Sequence, residues 1–145
     1  MPIKFKIYKQ LHLLYTEFNG QVTIKDAFEY AEKIFRVPNL EHVRKTLVFL
    51  KKSKLVFEIE EVEAFARKLS NNDKLIFRDK IAILIDSPNE TVAATIYAQT
   101  VKSINNKVEI ELFYTLDAAL QFLNLTSKRD EIIELIFNPK GKKVR

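Results

Sequence analysis

The side chains that could do chemistry collect at the carboxyl ends of apolar runs. Lys52, Ser53 and Lys54 follow the run Thr46–Leu50, Asp86 and Ser87 follow Ile81–Ile85, and Tyr114 and Thr115 follow the alternating stretch Lys107–Phe113. If those runs are parallel strands, their ends form one rim, which is where open α/β sheets take ligands. Such a rim offers ammonium groups to an anion, a carboxylate to a proton and hydroxyls to a substrate. Each member also has a plainer role. Ser87-Pro88-Asn89-Glu90 has the form of a capping box with proline at the first helical position, which commits the hydroxyl to a backbone N–H. Thr115 reads as another cap, Asp86 as the end of a strand, and Lys51–Lys54 as a solvated basic turn. Asn19-Gly20, which would join the rim, is the strongest turn signal in the chain. The rim is therefore a candidate surface for a ligand or partner, with no catalytic constellation in it.

Other chemistries lack their residues. There are no cysteines, which removes disulfides, thiolate nucleophiles and Cys-based zinc sites. His12 and His42 stand apart from each other and from any carboxylate pair at ligand spacing, so no metal and no cofactor is expected. Phosphate-binding glycine loops and the strand–turn–helix nucleophile motif need glycines, and the chain has only Gly20 and Gly141. The acidic residues Glu58, Glu60, Glu61 and Glu63 are spaced to complement the positive end of a helix dipole.

The elements that would position the rim alternate. Lys4–Ile7 and Leu11–Phe18 are strand candidates that form either a hairpin or one long bent strand. A helix follows Thr23-Ile24-Lys25-Asp26, a capping box with Asp for Glu, and shows the stripe Ile24, Ala27, Phe28, Ala31, Ile34, Phe35. It stops before Pro38. Strand Thr46–Leu50 leads, after the basic turn and Leu55-Val56-Phe57, to a helix with Ile59, Val62, Phe65, Ala66 and Leu69 inward. Asn71-Asn72-Asp73 breaks it, and a linker runs through Phe77. Ile81–Ile85 is a continuous apolar run, suited to a strand covered on both faces. A long helix follows with Val92, Ala93, Ile96, Tyr97, Val101 and Ile104 on its apolar side, then strand Lys107–Phe113 and a short helix with Leu116, Ala119, Leu120 and Leu123. Ser127-Lys128-Arg129-Asp130 reads as a capping box for a last helix ending at Asn138-Pro139. Alternation of this kind predicts parallel pairing through right-handed crossovers, in a mixed sheet of four or five strands.

At 145 residues, 47% hydrophobic and 30% charged, the chain has the composition of one globular domain. No apolar run approaches the roughly 20 residues of a membrane helix, and MPIKFKIYKQ has no signal-peptide core, so a cytoplasmic location is expected. The net charge of +5 is concentrated in Lys140, Lys142, Lys143 and Arg145; without them 20 basic residues face 19 acidic ones. A solvated basic tail, 139–145, accounts for it, and no nucleic acid is expected as a partner.

LHLLYTEFNGQVTIKDAFEYAEKI, KTLVFLKKSKLVFEIEEVEAFARKL, KIAILIDSPNETVAATIYAQTV and KVEIELFYTLDAALQFLNL together resemble, in rhythm, the SpoIIAA-like fold of STAS domains. The resemblance spans roughly residues 7–125 and makes 1–125 a SpoIIAA-like α/β domain. It implies βα repeats with helices mainly on one face, and action through protein partners or on small apolar or anionic ligands. Anti-sigma-factor antagonists carry a phosphorylated serine turn opening their second helix. Phe57-Glu58-Ile59-Glu60 occupies about that position, without a hydroxyl, so the phosphorylation switch is not expected.

These features point to a small STAS-like module that regulates by binding a protein partner or itself. The alternative is a domain that binds a small ligand, or catalyses weakly, at the rim. A closed apolar cavity beside the rim would favour the ligand, and a flat surface the partner. The last helix, within 126–138, carries Ile132, Ile133, Leu135, Ile136 and Phe137, more than one narrow stripe can hide. It must pack on its own sheet or on a second subunit, and a homodimer contact through Ile132, Ile133, Ile136 and Phe137 is the favoured expectation.

Overall fold

Five strands form one sheet in sequence order: β1 (Ile3–Tyr8), β2 (Leu13–Thr23), β3 (Lys45–Val56), β4 (Lys80–Leu84) and β5 (Glu109–Phe113). β1 is antiparallel to β2, and every later pairing is parallel. The computed structural model describes residues 2–71 and 79–138. The linker 72–77, Pro139 and the basic tail 139–145 lie outside the described residues. Each parallel step crosses over through a helix: α1 (Ile24–Phe35), α2 (Ile59–Ser70) and α3 (Pro88–Ile104). α4 (Leu116–Phe122) and α5 (Arg129–Ile132) follow β5, and α5 runs on into a wide π turn, Ile133–Phe137.

Three of the predicted caps form. Thr23 Oγ1 accepts from the Asp26 N–H while Asp26 accepts from the Thr23 N–H, and Ser87 and Thr115 cap α3 and α4. Ser127 caps nothing; it sits in a 3-10 turn, Thr126–Lys128, that leads into α5. The first two strands make a hairpin, closed by the turn Lys9–Leu11 with His12 in the left-handed region at φ 51°. His12 is thus a turn residue and not part of a strand.

Two predicted turns are strand. β2 continues through Asn19-Gly20, and β3 continues through Lys51–Lys54. Glu17 stands opposite Phe49 but Asn19 opposite Lys52, so Phe18 alone faces both Leu50 and Lys51. This is a β-bulge, one extra residue in β3. Its effect follows from the two-residue period of a strand. Leu50 and Leu55, an odd number apart, both reach the same core, and Ser53 Oγ donates to the Leu50 carbonyl at 2.7 Å. Gly20, at φ 65°, lets β2 follow the bend.

Both faces of the sheet are covered. α1, α2 and α3 lie over the face carrying Leu14, Phe18, Leu50, Ile81, Ile83 and Ile110. The other face, with Leu13, Tyr15, Leu47, Ala82 and Leu84, takes α4 and the C-terminal helix. α3 turns a narrower side inward than its apolar pattern suggests. Ala94, Ala98 and Val101 are buried, whereas Val92 is 56% and Ile104 38% exposed.

The C-terminal helix packs within its own chain. Ile132 has no exposed surface and lies in the cluster with Leu13, Leu47, Leu84 and Leu120, so it is not available to a second subunit. The π turn brings the Asn138 N–H to the Ile133 carbonyl at 2.7 Å. Phe137 then meets Tyr15 edge-on at 5.6 Å and Phe49 at 5.4 Å. The wider turn lets Leu135, Ile136 and Phe137 all be half-buried, which one regular stripe could not do. Replacing Ile132 by Ala is expected to remove about 2–4 kcal/mol of stability in urea unfolding. The neighbouring Asp130→Ala, whose side chain is in water, should change it by less than about 0.5 kcal/mol. A loss near zero for Ile132→Ala would show that the helix does not hold this face.

Candidate functional site

Of the predicted rim, Lys52, Ser53 and Lys54 lie in β3, Asp86 and Ser87 precede α3, and Tyr114 follows β5. Lys52, Ser53 and Lys54 belong to β3, where Lys52 and Lys54 are exposed and the Ser53 hydroxyl is committed to Leu50. Asp86 is exposed, Ser87 accepts from the Glu90 N–H at 3.4 Å, and Tyr114 is 64% exposed. No ion pair among the described residues joins the lysines to Asp86. Glu90 is buried beneath the start of α3 and does not complete the capping box foreseen for it. Of Phe57-Glu58-Ile59-Glu60, only Phe57 turns inward; Glu58, Ile59 and Glu60 are exposed as α2 begins, and Glu61 accepts from the Glu58 N–H at 2.7 Å. Among the described residues no group of three or more histidines and carboxylates could hold a metal ion.

A cavity of about 120 Å³ lies between the sheet and helices α1, α2 and α3. Its floor is three strands read on one face: Leu14, Thr16 and Phe18 of β2, Thr46, Val48 and Leu50 of β3, and Ile81 and Ile83 of β4. Its roof is Tyr30 and Ile34 of α1, Val62, Phe65 and Leu69 of α2, and Ala93, Ala94 and Tyr97 of α3. Leu55 and Phe57, which follow the β3 bulge, line it as well. None of the rim residues lines it, and among the described residues no charged side chain does.

Five of the lining residues carry hydroxyls: Thr16, Tyr30, Thr46, Ser70 and Tyr97. Thr16 and Tyr30 satisfy each other at 2.9 Å. Thr46 Oγ1 is fully buried and has no hydrogen-bond partner. Buried polar groups are nearly always paired, so an exception calls for an explanation. A valine would fill the same volume without the cost of an unpaired hydroxyl, about 1–3 kcal/mol.

On the opposite face Tyr15, Glu17 and Asn19 form a polar chain. Tyr15 donates to Glu17 Oε1 and Asn19 to Glu17 Oε2, each at 2.7 Å. Burial pushes the Tyr15 phenol upward, and the Glu17 carboxylate adds to it. Burial alone would raise Glu17 as well; the hydrogen bonds from Tyr15 and Asn19, with Lys52 and Lys4 nearby, outweigh it and hold the carboxyl below its usual value. Lys52 lies over the Phe49 ring at 5.9 Å and helps keep Glu17 ionised.

The sequence carried two signals for the cavity. Thr16 and Thr46 sit at core-facing positions of apolar strands, and α3 places Ala93 and Ala94 where larger side chains would fill the space. Tyr30 falls outside the apolar stripe read for α1 and yet is buried.

Thr46→Val is expected to raise the stability of the unliganded protein by about 1–2 kcal/mol, with a higher Tm in thermal unfolding. A lower Tm would mean that the hydroxyl has a partner. For Glu17, a lowered folded pKa contributes stability above the ordinary value of 4.5, and that stability is lost as pH falls through the folded value. Tyr15→Phe should therefore move the Glu17 titration upward in carboxyl ¹³C NMR and reduce the stability that acidification removes. A titration that stays in place would show that the phenol does not hold the carboxylate.

No family model and no curated protein matches this sequence. Among solved structures the chain is similar to an uncharacterised protein of the DUF3478 family from Shewanella loihica PV-4, described as having a SpoIIAA-like fold. The likeness covers 83% of this chain and 93% of that one, with a TM-score of 0.54 and 12% identity. At that identity it speaks to the fold alone. With its five-stranded mixed sheet and crossover helices, the chain is an α/β protein of SpoIIAA-like fold.

Proposed function

We propose that this chain is a binding module that takes a small apolar molecule between its sheet and helices α1, α2 and α3. The observation that carries the proposal is the 120 Å³ apolar cavity with an unpaired hydroxyl in its wall. Empty apolar cavities of roughly 150 Å³ in close-packed proteins take up benzene or xenon. The absence of charge from the wall, among the described residues, argues against the anionic ligand that the rim suggested, because an ion there would be stripped of water without a counter-charge. The same absence leaves no acid or base beside the cavity, which supports binding over catalysis.

A second reading, regulation through a protein partner, has its own support. Ile59 and Val92, each 56% exposed, flank a groove of about 50 Å³ where α2 and α3 begin. The groove shares Leu55, Phe57, Val62 and Ala93 with the cavity wall, at the position that the family resemblance gives to a phosphorylated turn. A ligand that shifted Phe57 would thus alter a partner surface.

Titration with toluene, followed by methyl ¹H–¹³C NMR, tests the binding reading. Saturable shifts are expected at Val48, Leu50, Val62 and Ile83, and Ala94→Leu or Ala93→Leu should abolish them by filling the space. If toluene produces no saturable shift at these methyls in the wild-type protein, the reading fails.

A further inference from the structure

We infer that the groove between the starts of α2 and α3 docks a basic amphipathic segment of a partner protein. The inference rests on the partner-binding reading given above and adds the chemistry of the partner. Ile59 and Val62 of α2 and Val92 and Ile96 of α3 line the groove, with Asn89 as its one polar residue among those described. The Asn89 side chain is already committed to the Leu55 carbonyl. Single exposed apolar side chains need no explanation, whereas contiguous apolar surface rimmed by polar residues marks interaction sites. Here Ile59 and Val92, each 56% exposed, border the same groove.

The charge around the groove selects the partner. From Leu55 to Ala66 the chain carries Glu58, Glu60, Glu61 and Glu63, and from Ile81 to Val101 it carries Asp86 and Glu90; neither stretch has a lysine, arginine or histidine. The first cations of α2 and α3, Arg67 and Lys102, stand in their last turns. Glu58 and Glu60 are exposed, and Glu63 is half-exposed one helical turn on from Ile59. None of the three has an ion-pair partner among the described residues. Helix-dipole complementation accounts for acids in the first turn of α2. It does not account for apolar side chains left in water beside them, nor for two helix starts without a cation in a chain of net charge +5. A segment with lysine or arginine beside apolar residues answers both features: its apolar side covers Ile59 and Val92, and its cations meet the glutamates. Net charge would repel such a segment, so its binding reports the local groove.

The test titrates the protein with the model peptide AKKLAKKLAKKLAK, whose leucines share one helical side, and with its acidic counterpart AEELAEELAEELAE. Dissociation constants are read from methyl ¹H–¹³C NMR. The basic peptide is expected to shift the methyls of Ile59, Val62, Val92 and Ile96 saturably, more weakly as salt is added, and the acidic one should not. Ile59→Ser and Glu63→Lys should each weaken the basic peptide about tenfold. Glu111→Lys makes the same charge change on β5, away from the groove, and should leave the affinity unchanged. If the acidic peptide binds as tightly as the basic one, or Glu111→Lys weakens binding as much as Glu63→Lys, the basic chemistry is overturned while the groove stands as a docking site. A dimer in light scattering that Ile59→Ser dissociates would make a second copy the occupant and overturn the inference. Deletion of 139–145 that shifts the same methyls would overturn it in favour of the chain's own tail. If neither peptide shifts the groove methyls, the partner reading itself has failed, and this inference with it.

Discussion

The parallel pairing of β2 with β3, continued past an extra residue, is the constraint on which the remaining structure depends. It runs from Leu13 opposite Lys45 to Thr23 opposite Val56 and outlasts β4, which pairs with β3 only as far as Leu84 opposite Phe49. Without the bulge, the period of two would turn Leu55 away from the core that Leu50 occupies. With it, Leu50, Leu55 and Phe57 all line the cavity. The overhanging part of β3 has an open edge on the β4 side, and there Asn89 of α3 donates to the Leu55 carbonyl at 3.1 Å. One backbone irregularity thus sets the cavity wall and the point where α2 departs.

The space under the helices follows from unequal side-chain sizes. α3 lies on the sheet with Ala94 and Ala98, while Phe65 of α2 bridges to Phe28 at 6.4 Å and to Tyr97 at 5.9 Å. Rings join the helices to one another, and small residues face the middle of the sheet. Protein interiors ordinarily leave few voids larger than a water molecule. A gap of this volume floored by three strands, beside a buried and unpaired hydroxyl, is a departure that packing alone would not favour. Functional sites are where such departures collect.

The opposite face is held by aromatic contacts. Tyr15, Phe49 and Phe137 meet as rings, and the Tyr15 phenol reaches Glu17, linking the end of the chain to a carboxylate at the middle of β2. Covering this face is what the apolar residues of the C-terminal helix do, with Ile132 at its centre. A sheet with helices on only one side would leave Leu13, Leu47 and Leu84 in water.

The fold class was legible in the residues, because hydrophobic periodicity and capping are local. The five-residue run Ile81–Ile85 reads as a buried strand, and Thr23, Ser87 and Thr115 mark helix starts within a few residues of each. Asn19-Gly20 and Lys51–Lys54 were misleading for the same reason. A turn signal reports what four residues prefer, whereas pairing along β2 and β3 satisfies backbone groups over their whole length and overrides it. Burial depends on partners distant in sequence, so the inward side of α3, the burial of Tyr30 and the packing of Ile132 on its own sheet appeared only in three dimensions. The same holds for the cavity. Thr46 is an ordinary strand residue in the sequence, and only the arrangement of three strands and three helices leaves its hydroxyl without a partner.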